Sequence, residues 1–389
     1  MVRAVRNARN RLEGERRESL LSNNRRMLDD IVSLTKKFVL IKSISGNTKA
    51  LEDILELALS HLKGYTIERF KRNGVKSALI YNSQRRPKKF KIILNGHLDV
   101  IPGKDHQYAA QIKNNRLHGV GSMDMKANAA CLIMAFKQAA SKVNYPLGLQ
   151  LVTDEEVGGF DGTKYQIDKG VRADFVIAGE PTHFDIVNKA KGVLWVRIST
   201  RGKTAHGAYP WRGENAIWKM NEFLDILKKR YPIPDEEKWI TTVNVSSIET
   251  GNRAFNKIPD DCMIGLDVRY VPEHTSTVVK SIQELLPKGF TLDIVAKEPA
   301  LFTDDDNEYI KLLQNTGKQI IKKKIMLRGA QGTSDARHFA AVNCAGIEFG
   351  PIGGGIGSDN EWVDIPSLER YYRILRDFLL RAMIPIKTG

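Results

Sequence analysis

The residues with the strongest chemical content are one histidine and five acidic side chains in a fixed order. His97 and Asp99, in His-Leu-Asp, close an apolar run at 90–94. Asp124 follows in Gly-Ser-Met-Asp-Met-Lys, Glu155 and Glu156 in Thr-Asp-Glu-Glu-Val-Gly-Gly, and Glu180 in Ala-Gly-Glu-Pro-Thr. Each segment falls just past a predicted strand, where an open α/β sheet gathers its site-building loops. One imidazole with several carboxylates and no nearby cysteine suits a divalent ion such as zinc, cobalt or manganese. Taken singly, each residue has a plainer use: His-x-Asp as a surface pair, Glu-Glu as a solvated face, Asp124 as the cap of a helix predicted over 125–140. Their common order, strand-end placement and glycine flanks carry the metal reading. In extended chain, side chains two residues apart share a side, so Asp99 is expected to accept a hydrogen bond from the His97 nitrogen that faces away from metal.

Positioning these groups requires alternating strands and helices. Apolar runs at 77–81, 90–94, 147–152 and 175–178 predict strands, while helical spacing recurs at Leu28, Ile31, Val32, Leu34 and Phe38, at 47–62 and at 125–140. Such alternation predicts an α/β fold with a mostly parallel sheet covered by helices on both faces. From 191 the order becomes strand 193–200, helix 215–231, strands 240–248 and 263–271, helix 276–286 and strand 290–296, the βαββαβ order of a ferredoxin-like α+β unit. A helix at 305–324 and a strand at 346–349 then return to the sheet domain. The expected divisions are a basic extension over 1–26, a first part of the sheet domain over 27–190, an inserted unit over 191–300 and a second part over 301–389.

Composition narrows the partners. At 389 residues there is room for two cores. Cys131, Cys262 and Cys344 sit in apolar stretches without paired spacing, which fits a reducing cytoplasm and argues against disulfides or cysteine-held zinc. No apolar run approaches the ~20 residues that span a bilayer. The net charge of +15 is partly concentrated in residues 1–26, where eight arginines face three glutamates. No aromatic platform interleaves the remaining basic residues, which argues against nucleic acid as the main partner. The glycine-rich segment 353–357 lacks the Lys-Ser or Lys-Thr of a phosphate loop.

Together with Thr204-Ala205-His206, Asn256-Lys257-Ile258-Pro259, Asp267-Val268-Arg269 and Gly332-Thr333-Ser334-Asp335, these motifs resemble the co-catalytic zinc amidohydrolases. That family includes acetylornithine deacetylase, succinyl-diaminopimelate desuccinylase, aminoacylase and the glutamate carboxypeptidases. The resemblance runs from about Met27 to the C-terminus. It implies a zinc-exopeptidase-like catalytic domain with an inserted lid and dimerisation domain, a homodimer, and metal-dependent hydrolysis of an amide bond in an N-acyl amino acid or small peptide. It also implies one or two zinc ions, with Asp124 as the bridge, His97 and Glu180 on one ion, Glu156 on the other, and Glu155 as the proton carrier. His206 is implied to act across the dimer on the oxyanion, and Asn256, Arg269 and Thr333 to contact substrate. A salt bridge is the plainer use of Arg269.

One departure stands out. Where the family pattern places a metal-binding histidine before Asn-Glu, this chain has Gly357 in Gly-Ser-Asp-Asn360-Glu361. The second shell is then short by one ligand unless Ser358 or Asp359 replaces it. The alternative function is a catalytically impaired member that binds a carboxylate ligand or partner.

Overall fold

The computed structural model describes residues 22–383, so most of the basic extension lies outside the described residues. Two compact units are present. The first runs to Asn188 and includes Thr303–Arg328 and the chain from Ser334 onward; the second comprises Lys189–Phe302 and Gly329–Thr333.

In the first unit the large sheet orders its strands as Thr66–Arg72, Val75–Tyr81, Leu147–Val152, Phe90–His97, Ala173–Ala178, Ala345–Glu348 and Ile186–Ala190. Its centre is parallel: Phe90–His97 pairs in parallel with both Leu147–Val152 and Ala173–Ala178, and Ala345–Glu348 extends the run. Antiparallel strands finish both sides. Side chains alternate between two cores, as the period of two in a strand requires. Ile92, Leu94, Phe175 and Ile177 pack with the helices at 22–39, Thr48–Ser60, Ala127–Ala140, Glu308–Ile321 and Ile365–Arg381. Ile93 and Val176 pack on the opposite face with Ile167 and Phe339, from the helices Thr163–Asp168 and Ala336–Ala340. Each such Leu, Ile or Phe contributes about 1.5–3 kcal/mol on full burial.

A small sheet joins Gly353–Gly354, Trp362–Asp364, Arg116–His118 and Gln111–Lys113. The helix predicted from Met125 instead starts at Ala127, after a turn over Ser122–Lys126 in which Asp124 has φ −118° and ψ 97°. Asp124 is therefore not a helix cap. Strands at Thr66–Arg72 and Ile186–Ala190, absent from the sequence reading, also belong to the sheet, as do the short strands Leu301–Phe302 and Leu327–Ala330.

In the second unit the sheet order is Thr242–Glu249, Asp261–Tyr270, Gly192–Arg201, Phe290–Glu298, all antiparallel. With the helices Ala216–Arg230 and Val278–Gln283, this is the ferredoxin-like arrangement. Alternation is regular in Asp261–Tyr270, where Cys262, Ile264, Leu266, Val268 and Tyr270 face a core shared with Met220, Phe223 and Leu227. Asn215 caps the longer helix by accepting the Ile217 N–H at 2.9 Å.

Candidate active site

The parallel strands end side by side, and their order sets the order of the functional groups. His97 is the last residue of its strand, Glu155 and Glu156 sit in the turn just beyond Leu147–Val152, and Glu180 lies two residues past Ala173–Ala178. Because Phe90–His97 runs between those two strands, His97 stands between the Glu155–Glu156 turn and Glu180. The turn at Ser122–Lys126 brings Asp124 to the same place: His97 Nε2 is 3.1 Å from Asp124 Oδ1 and 4.0 Å from Glu180 Oε2. His97, Asp124 and Glu180 can each offer one ligand atom within 4.8 Å of the others, and among the described residues this is the one group of three or more that can.

The electrostatics show a site short of positive charge. Burial pushes the Glu180 carboxyl well above its usual range; His97 opposes the shift, and the Asp124, Glu155 and Glu348 carboxylates add to it. Burial likewise raises Glu155 well above its ordinary value, with Asp335, Asp99 and Asp124 adding to the effect against His97. Glu156 rises to about 7 through burial, against the nearby His97, with Asp124 and Asp99 reinforcing it. For His97, burial works against the charged form, but hydrogen bonds to Asp124 and Asp99 and the Glu180 charge together hold it well above 6.5. Glu180 Oε1 is buried without a hydrogen-bond partner. One imidazole and two carboxylates, each able to offer a ligand atom within 4.8 Å of the others, are a donor set that fits a divalent ion.

The supporting contacts differ in detail from expectation. His97 Nδ1 lies 3.0 Å from the main-chain oxygen of Asp99 and 3.5 Å from its Oδ1, so the hydrogen bond of normal length goes to the carbonyl. The extended chain turns after His97, and the Asp99 carboxylate spends Oδ2 on the Glu156 N–H at 2.9 Å. Asp99 thus ties the His97 strand end to the Glu155–Glu156 turn. Glu156 stands outside the three-residue ligand group.

Gly357 has φ +72°, and a Cβ there would meet only Ile101 Cδ1, at 3.8 Å. Neither proposed replacement is free. Asp359 is paired with Lys104, and Ser358 Oγ donates to the Gly355 carbonyl at 2.8 Å.

The remaining expected residues lie in the second unit. His206 and Asn256 are exposed on neighbouring segments, joined by the Gly207 N–H donating to the Asn256 carbonyl at 2.7 Å. Arg269 makes a two-pronged contact with Asp267, Nε to Oδ1 at 2.9 Å and Nη2 to Oδ2 at 3.1 Å, the salt-bridge use of this residue. Thr333 Oγ1 is buried without a hydrogen-bond partner.

Two buried acids escaped the sequence reading. Glu348 ends a central strand and is raised to about 7, chiefly by burial. Glu361 is 3% exposed and accepts the N–H groups of Gly121, Met123 and Asp124. The position of Glu361 after Asn360 marks the family spacing, but its contacts follow from the pairing of Trp362 with His118, which no local pattern shows.

A strand-end cluster of one histidine and two carboxylates on a sheet with a parallel centre, taken with a family match over residues 93–381, marks a metal-dependent hydrolase of amide bonds. Residues 93–381 match the peptidase family M20/M25/M40, and the chain belongs to that family. It is 26% identical over 383 residues to a succinyl-diaminopimelate desuccinylase of Hydrogenovibrio crunogenus, covering 92% of this chain and all of the relative. Among solved structures it resembles a tripeptidase from Staphylococcus aureus, with a TM-score of 0.74, 19% identity and coverage of 92% of this chain and 98% of the other. It also resembles an M20 family metallo-carboxypeptidase from Sulfolobus solfataricus, with a TM-score of 0.69, 17% identity and coverage of 90% and 98%. No helix among the described residues is long and apolar enough to cross a membrane.

Proposed function

We propose that the chain hydrolyses the amide bond of an N-acyl amino acid or small peptide bearing a free carboxylate, with one zinc-class cation held by His97, Asp124 and Glu180. The observation that carries this reading is the convergence of those three ligand atoms within 4.8 Å. A divalent ion in such a site polarises the amide carbonyl and makes water a nucleophile near neutral pH. Glu155, buried near His97 and the Asp335, Asp99 and Asp124 carboxylates, takes the proton released by the attacking water and delivers it to the departing nitrogen. Asp99 orients His97 through its carbonyl and the Glu155–Glu156 turn through its carboxylate. In this reading His206 acts across a homodimer on the oxyanion formed in the other protomer, and Asn256 and Thr333 contact substrate, Thr333 with a hydroxyl that has no hydrogen-bond partner. Arg269 serves a substrate carboxylate only by leaving Asp267.

The assembly in this reading is a homodimer through the second unit. Its sheet has open edges at Thr242–Glu249 and Phe290–Glu298, where Val245, Ile248, Ile294 and Val295 are 43–55% exposed. Three free, buried cysteines favour a reducing, cytoplasmic setting. Gly357 motivates a second reading, an impaired member that binds a carboxylate ligand without turning it over. Elemental analysis after dialysis, followed by hydrolysis assays on N-acyl amino acids and di- and tripeptides with zinc, cobalt or manganese, decides between them. Bound cation with turnover supports the first reading; bound cation and ligand without turnover on any member of the panel supports the second.

A further inference from the structure

The turn that delivers Asp124 has an unusual backbone. Its Ser122 N–H donates to the Gly119 carbonyl at 3.0 Å, but those of Gly121, Met123 and Asp124 have Glu361 as their acceptor. Glu361 Oε2 takes the Gly121 N–H at 2.8 Å, while Oε1 takes those of Met123 at 2.8 Å and Asp124 at 3.0 Å. The carboxylate reaches this point because Trp362 pairs with His118 in the small sheet, so the residue before Trp362 faces the chain leaving His118. The Gly119 N–H, donating to the Glu361 carbonyl at 3.2 Å, closes the same junction. Gly121, at φ +73°, leaves no room for a Cβ against Val100 and so presses the turn onto the segment that follows Asp99. Lys126, also buried, lies within electrostatic reach of Glu361 and donates to the Ile41 carbonyl at 2.8 Å.

We propose that Glu361 is a positioning residue for Asp124: its carboxylate, by gripping three N–H groups of one turn, fixes where the Asp124 carboxylate stands and thereby sets the affinity of the site for its cation. The inference rests on the reading that His97, Asp124 and Glu180 hold that cation. A carboxylate is needed because both oxygens accept. A glutamine offers one acceptor and turns its NH2 toward an N–H, leaving at least one donor of the turn unsatisfied. An aspartate keeps the charge but withdraws it by one methylene.

The test uses metal-stripped full-length wild type, Glu361→Gln, Glu361→Asp and Asp124→Ala, titrated with Co2+ while the visible absorption is followed, with thermal midpoints of the metal-free proteins recorded beside them. Glu361→Gln is expected to weaken Co2+ binding by ~10- to 100-fold, as loss of a group that orients a ligand typically does, and to change the cobalt band shape; Glu361→Asp falls between it and wild type. Asp124→Ala removes the band. Undiminished affinity with an unchanged spectrum in Glu361→Gln overturns the proposal, even if its metal-free midpoint falls, because the residue would then support the fold alone. Should Glu361→Gln not fold, Glu361→Asp is read by the same criterion. A wild-type chain that binds no Co2+ overturns the site reading itself, an outcome distinct from equal binding by wild type and variant.

Discussion

Replacing Gly357 by histidine tests whether a missing ligand limits this site. The backbone there has φ +72°, a left-handed conformation that costs a side-chain-bearing residue about 1–2 kcal/mol. Gly357→Ala and Gly357→His share that cost, so their difference reports the imidazole alone. Space is available, since the only neighbour of a Cβ is Ile101 Cδ1 at 3.8 Å. Ile101 is also among the groups that act on the Glu156 carboxyl, so position 357 and Glu156 share Ile101 as a neighbour. After dialysis the wild type and Gly357→Ala should retain one cation per chain. Gly357→His should hold a second at least ~10-fold more tightly than Gly357→Ala, about 1.4 kcal/mol in favour of binding, and should turn over at least one N-acyl amino acid faster. Adding Glu155→Ala in the same background should abolish the gain in rate. Elemental analysis, cation titration and turnover on the variants supply the comparison. Equal occupancy and equal rate in Gly357→His and Gly357→Ala would refute the reasoning.

Glu155→Gln should lower kcat by ~10²- to 10⁴-fold with cation content unchanged; parallel loss of cation would make Glu155 a ligand instead of a proton carrier. His338, 3% exposed, is lowered to about 3, mainly by burial and then by Arg337, and its Nε2 lies 2.9 Å from the Gly158 carbonyl. A depressed histidine contributes stability that is fully present above about 6.5 and is lost as pH falls toward 3, so wild type should lose ~2 kcal/mol between pH 6.5 and 5 relative to His338→Gln in urea unfolding. Identical slopes for the two proteins would contradict this. Ile248→Asp, on the open edge Thr242–Glu249, should convert the proposed dimer to monomer in light scattering, and His206→Ala should cost ~10² to 10³ in turnover; a wild type already monomeric removes both expectations.

Much of this architecture was legible from apolar periodicity. The strand Leu147–Val152 has the expected bounds, and the βαββαβ order of the second unit follows the sequence to within a few residues. What escaped lay below the reach of periodicity. Strands of two or three residues, such as Gly353–Gly354 and Arg116–His118, show no repeat to read. The hairpin joining Thr66–Arg72 to Val75–Tyr81 did carry a local signal in Asn73-Gly74, whose φ values of +47° and +88° suit the mirror-image turn that such a pair favours. His97, Asp124 and Glu180, the proposed ligands, could be singled out because ligand chemistry restricts residue type, and the structure brings them together. Glu361 was not, because gripping backbone N–H groups is decided by the pairing of Trp362 with His118, a relation between residues more than two hundred positions apart.

That separation also governs when the site comes into being. The central strand Ala345–Glu348 enters the sheet beside Ala173–Ala178, and Glu361 reaches the Asp124 turn from still further along the chain. A ribosome adding about 5–20 residues per second has by then already made all four strands of the second unit's own sheet, the last of which ends at Glu298. The inserted unit therefore has its four-stranded sheet while Glu361 is still to come, and the proposed ligands His97, Asp124 and Glu180 are made before the residue proposed to position Asp124. Completion of the Asp124 turn therefore waits on Glu361, which is made well after the sheet of the second unit.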